Sequence, residues 1–126
     1  MSHTEEILKV LDGLLVSEDI YGCMVARKGI KGVIPPRERF NSKILDIWDM
    51  LQDTMDEFFD VISHYSRYGL GEVYFRLGDY EVLFYILPET DTALVAIIPS
   101  LANKGLLEVE MENAREKIIK IVSEND

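Results

Sequence analysis

The chain has 126 residues, of which 48% are hydrophobic and 29% charged, the balance of one globular domain with a buried core of its own. Its formal net charge of −10 argues against nucleic-acid and anionic-membrane surfaces, where affinity comes from clustered Lys and Arg. A single cysteine, Cys23, excludes an internal disulfide and fits a reducing compartment.

The opening Met1-Ser2-His3-Thr4-Glu5-Glu6 has neither the basic start nor the apolar stretch of a signal peptide, and no uncharged run approaches a membrane span, so we expect a cytoplasmic protein. Thr4 with Glu5 and Glu6 reads as a helix start. Ile7, Leu8, Leu11, Leu14 and Leu15 then recur at helical spacing, which predicts a helix over 4–16. Ser17-Glu18-Asp19 breaks it. Ile20 to Ala26 reads as a strand, Arg27-Lys28-Gly29 as a turn and Ile30 to Ile34 as a second strand, ended by Pro35-Pro36.

Asn41-Ser42 caps a long helix running to about Tyr68, where Gly69-Leu70-Gly71 stops it. Glu72 to Leu77, the two-residue turn Gly78-Asp79, Tyr80 to Leu87, the turn Pro88-Glu89-Thr90-Asp91 and Thr92 to Ile98 form two successive hairpins. A last helix over about 104–122 carries Leu107, Met111, Ala114, Ile118 and Ile121 on one side. Glu72, Tyr74 and Arg76 alternate with Val73, Phe75 and Leu77, as on an edge strand. Tyr80 to Leu87 and Ala93 to Ile98 are apolar on both faces apart from Glu81, and so need helices on both sides.

The long helix is the most informative element. Stepping about 100° per residue, Met50, Val61, Ile47, Tyr65, Phe58, Leu51, Ile62, Met55, Trp48 and Phe59 fill roughly half its circumference, wider than the stripe of roughly 100° that covers a helix's own sheet. Either other helices of the chain meet the surplus or a partner subunit does; the 4-3 spacing of Ile44, Trp48, Leu51, Met55, Phe58, Ile62 and Tyr65 suits a seam between two such helices. The remaining arc is almost wholly acidic: Asp46, Asp49, Asp53, Asp56, Glu57 and Asp60 share it with His64 and Arg67. That arc is a solvated face or a docking face for a basic partner; a metal site is a remote third option, since acids on a straight helix do not converge.

No catalytic constellation is visible. His3 and His64 have no partner that spacing identifies, Cys23 reads as a small buried hydrophobe, Gly69-Leu70-Gly71 precedes a strand rather than a helix, and there is no P-loop. We therefore expect neither an enzyme, nor a cofactor, nor a metal.

Three segments in this order resemble the roadblock family of dynein light chains and bacterial and archaeal GTPase partners. They are Tyr21 to Ile30, the strands between Glu72 and Ile98, and Asn103-Lys104-Gly105-Leu106 at the start of the last helix. The resemblance implies an α/β domain of the α+β type: a five-stranded antiparallel sheet in the order 2-1-5-4-3, the long helix on one face and the terminal helices on the other. It also implies a homodimer in which long helices pair and third strands meet edge to edge, acting as an adaptor or regulator of a small Ras-like GTPase. Pro35-Pro36-Arg37-Glu38-Arg39 and the acidity of the long helix depart from the family pattern. The candidate dimer contacts are Trp48, Leu51, Met55, Phe59, Ile62, Val73 and Phe75, and the candidate partner-binding residues Asp49, Asp53, Asp56 and Asp60. A ligand-sensing module with a cavity between sheet and helix, or a structural subunit of a larger complex, are the alternatives.

Overall fold

A computed structural model describes residues 3–88 and 91–124. The order is α1 (His3–Leu15), β1 (Gly22–Arg27), β2 (Ile30–Val33), α2 (Leu45–Ser66), β3 (Glu72–Leu77), β4 (Tyr80–Ile86), β5 (Thr92–Pro99) and α3 (Lys104–Glu124). The strands form one antiparallel sheet in the order β2-β1-β5-β4-β3, as the resemblance implied.

Alternation along the strands sorts the core into two layers. Cys23, Val25, Tyr85, Leu87, Leu94, Ala96 and Ile98 pack against α1 and α3, meeting Ile7, Leu11, Leu107, Met111 and Ile118. Met24, Ala26, Val82, Phe84, Ile86, Val95 and Ile97 pack against α2. From Ala93 to Ile98, β5 is buried at every residue, so its polarity in the sequence reports its central place. Glu81, the one charge in β4, is 6% exposed and pairs with Lys104 Nζ at 2.7 Å at the start of α3.

Element boundaries follow local chemistry. The Asn41 side chain accepts from Lys43 N at 2.9 Å, but it caps a short 3-10 turn, Ser42–Ile44, and the α-helix proper begins at Leu45. Pro35 to Arg39 contains a second 3-10 turn, Arg37–Arg39, absent from the sequence reading. Gly78 makes the β3–β4 turn with φ 61°, a conformation that costs glycine little. The expected turn 88–91 lies partly outside the described residues. Arg115 ties α3 to the entry of β3: it donates to Gly71 O at 3.1 Å, pairs with Glu112 at 2.7 Å and lies over the Tyr85 ring.

Cys23 is fully buried, its Sγ 3.6 Å from Leu11 O. Burial first, and the nearby Asp12 carboxylate second, push its thiol up to about 12. Iodoacetamide should therefore leave Cys23 unmodified in the native protein at mildly alkaline pH and label it once guanidinium unfolds the chain. An unfolded cysteine ionises near pH ~8.5, so this group's contribution to stability is complete below that value and declines as pH rises above it. Phe59, 2% exposed beneath α2, gives a second expectation: Phe59→Ala should lower unfolding free energy by about 3–5 kcal/mol in urea titration.

Candidate functional site

Helix α2 carries three stripes. Ile44, Trp48, Leu51, Met55, Phe59 and Ile62 face the sheet and are 0–7% exposed. Asp46, Asp49, Asp53, Asp56 and Asp60 face away from it, spaced three and four residues apart. Between these on one flank lies a second apolar stripe, Ile47, Met50, Thr54, Phe58, Val61 and Tyr65. Met50 is 69% exposed, Val61 57% and Tyr65 56%.

This division corrects the expected interface. Trp48, Leu51, Met55, Phe59 and Ile62 are consumed by the chain's own sheet, because a helix lying on strands with apolar side chains must place its broadest residues there. The surplus apolar width identified in the sequence exists, but further round the helical wheel, on the Met50–Val61 flank. Val73 and Phe75 are half-buried on the same side as α2 and line its approach to the sheet edge.

That flank and β3 enclose an open groove of about 570 Å³, walled by Met50, Phe58 and Val61 on the helix and Phe75 and Leu77 on the strand. Phe58 and Phe75 stack at 5.3 Å with rings 5° apart, and Phe84 tilts against both, so the base is rigid. Asp46 and Glu57 stand at its rim. The space is a surface cleft beside the helix, not a cavity closed between helix and sheet.

The opposite flank of α2 is covered by the chain itself. Phe40 meets Trp48 edge-on at 4.6 Å, and Arg37 pairs with Asp49 at 2.6 Å, which raises the arginine's proton affinity. From the β1–β2 turn, Lys28 reaches Asp60 at 3.6 Å and Gly29 N donates to Asp56 at 3.4 Å. Of the four aspartates proposed for partner binding, then, three contact their own chain, and Asp53 has no such ion pair or hydrogen bond among the described residues. No sequence signal identified these basic contacts, since they join segments distant along the chain. Arg39 extends the same strap to α1 through Asp12 at 2.8 Å.

His64 is exposed, its Nδ1 donating to Asp60 O at 2.6 Å. Among the described residues no group of three His, Cys, Asp or Glu is placed to hold a metal ion, and no helix is long and apolar enough to cross a membrane.

No protein-family model matches the sequence, and no curated protein matches it significantly. Solved structures do. A Roadblock/LC7 domain from Streptomyces avermitilis superposes with a TM-score of 0.66 at 12% identity, over 91% of this chain and 96% of that one. The gliding protein mglB from Thermus thermophilus superposes with a TM-score of 0.63 at 14% identity, over 98% of this chain and 93% of that one. With its 2-1-5-4-3 antiparallel sheet between one long helix and two terminal helices, the chain has the roadblock fold.

Proposed function

We propose that the protein is a cytoplasmic, non-enzymatic homodimer that binds a small Ras-like GTPase as an adaptor or regulator, stimulating hydrolysis, where it does so, by positioning the GTPase's own residues. The observation that carries the dimer is the second apolar stripe of α2, which lies beside the edge strand β3 and has no cover among the described residues. A contiguous apolar cleft with an acidic rim is the usual mark of a protein interface. The partner class comes from the roadblock resemblance, and the aspartate stripe supports it by supplying a face that attracts a basic surface and repels acidic ones.

Sedimentation equilibrium should give twice the 14.5 kDa chain mass at micromolar concentration. Met50→Glu together with Val61→Glu should yield a folded monomer, because both side chains are exposed in the protomer and their replacement alters its stability by only about 0.5 kcal/mol. A wild-type monomer, or a double variant still dimeric, would remove this interface.

For the partner, affinity capture from native cytosol with a non-hydrolysable GTP analogue should retain a Ras-like GTPase that is lost when GDP replaces it. Asp53→Lys should then weaken its capture at least tenfold, about 1.4 kcal/mol, without changing the dimer mass. Equal capture by the wild type and Asp53→Lys would move the docking face elsewhere, and no nucleotide-dependent GTPase would sink the functional reading.

A further inference from the structure

Acids dominate the groove beside α2, which is rimmed by Asp46 and Glu57, and the pocket under Lys104, which holds Glu72, Glu81 and Glu108. In the open cleft between α1 and α3, of about 420 Å³, the balance reverses: Lys9 and Lys117 line it against Glu110. Neither lysine has an ion-pair partner among the described residues. On a chain of net charge −10 this is a local excess of unpaired cation, opposite in sign to the field of the whole molecule.

The walls of the cleft are stripes at helical spacing. Lys9, Gly13 and Val16 follow one another along α1 and its end, and Glu110, Asn113 and Lys117 along α3. Val16 is 79% exposed, and Leu106, one turn before Glu110 on the same line, is 55% exposed. Gly13 lies within α1, and a Cβ added to it would meet nothing within 4 Å. Glycine destabilises a helix relative to alanine. Neither a positive φ nor a close contact inside the chain calls for it at this position. What Gly13 does supply is a notch, floored by the buried Leu14 and Ala114, where a second backbone can come close.

We propose that this cleft is a docking surface for an acidic amphipathic helix of another protein. Its carboxylates meet Lys9 and Lys117, and its apolar side chains enter the notch at Gly13 and cover Val16. A helix fits because a groove between two helices offers side-chain ridges to pack between and no unpaired strand to extend. An acidic helix fits because the two lysines attract it, whereas a basic one is repelled here and drawn to the aspartates of α2. The cleft lies on the opposite side of the sheet from α2. Both surfaces can therefore be occupied together, and the protein joins two partners of opposite charge.

Val16→Cys supplies an attachment point for the test, because Cys23 is buried and does not compete. A benzophenone maleimide placed there and photolysed in native cytosol should cross-link a segment that mass spectrometry reads as acidic with apolar residues at helical spacing. A synthetic peptide of that segment should bind the unlabelled protein in isothermal titration. Lys9→Glu combined with Lys117→Glu should weaken the peptide at least about tenfold, and a peptide with lysine in place of its acids should prefer the reversed variant to wild type. Gly13→Leu should weaken binding likewise while leaving the melting temperature no lower, and Asp53→Lys, on α2, should change nothing. The proposal falls if the cross-linked segment lacks carboxylates, if it comes from a second copy of this chain, or if no cross-link forms. It falls equally if the peptide binds the Lys9/Lys117 reversal as it binds wild type, or if binding is lost in Asp53→Lys, which would place the segment on α2.

Discussion

The sheet has to be covered on both faces, and the chain has three helices with which to do it. Strands β4, β5 and β1 are apolar above and below, so leaving either face bare would expose most of the core. Two helices, α1 and α3, share one face, while α2 is alone on the other. Five strands spaced about 4.8 Å apart span roughly 20 Å, and a helix with its side chains is about 10 Å wide. One helix cannot close that face. The segment from Pro35 to Ile44 fills the gap on the β1–β2 side with Phe40, and the gap on the β3 side stays open as the Met50–Val61 groove. The exposed flank is therefore a consequence of the helix count, not of an isolated run of surface hydrophobes.

The same asymmetry explains how the acidic stripe is used. Its side nearer to β1 and β2 is met by Lys28, Gly29 and Arg37, whereas Asp53, on the outward side, and Asp46 and Glu57, at the groove, have no such contact among the described residues. The Arg37–Asp49 and Lys28–Asp60 pairs are solvated on both sides, and ion pairs in that setting contribute little to stability. A basic partner could replace them at small cost. These pairs thus orient the β1–β2 turn and the 35–39 strap without closing the acidic face to other cations.

Much of this was legible in the residues. Alternation placed β3 at an edge, two-sided hydrophobicity placed β4 and β5 inside, and the Gly78-Asp79 turn set the pairing of β3 with β4. The width of the apolar arc on α2 correctly indicated more surface than its own sheet uses. Which side of that arc was surplus could not be read, because helical periodicity gives angular width but not the direction of the sheet. Trp48, Phe59 and Ile62 were natural choices for an interface and are core for that reason. Glu81 looked like a misfit in a buried strand until the fold brought Lys104, 23 residues later in the chain, to 2.7 Å. The 35–39 strap was equally hidden: its role depends on Asp12 and Asp49, which only the tertiary fold places on either side of it.

The two edges of the sheet are not equivalent, and this bears on why an exposed edge can be tolerated at all. β2 is four residues long, its pairing with β1 is interrupted between Val25 and Arg27, the Arg27 guanidinium occupies Lys31 O, and Pro35-Pro36 follows at once. Such an edge resists further pairing. β3 is six residues long, regular and free of proline, so it lacks the usual protection. In a two-fold dimer each β3 would be consumed by its mate, and the only edges left would be the two blunted β2 strands. Association would then stop at two copies, and the net charge of −10 on each chain would keep the closed pair from further aggregation.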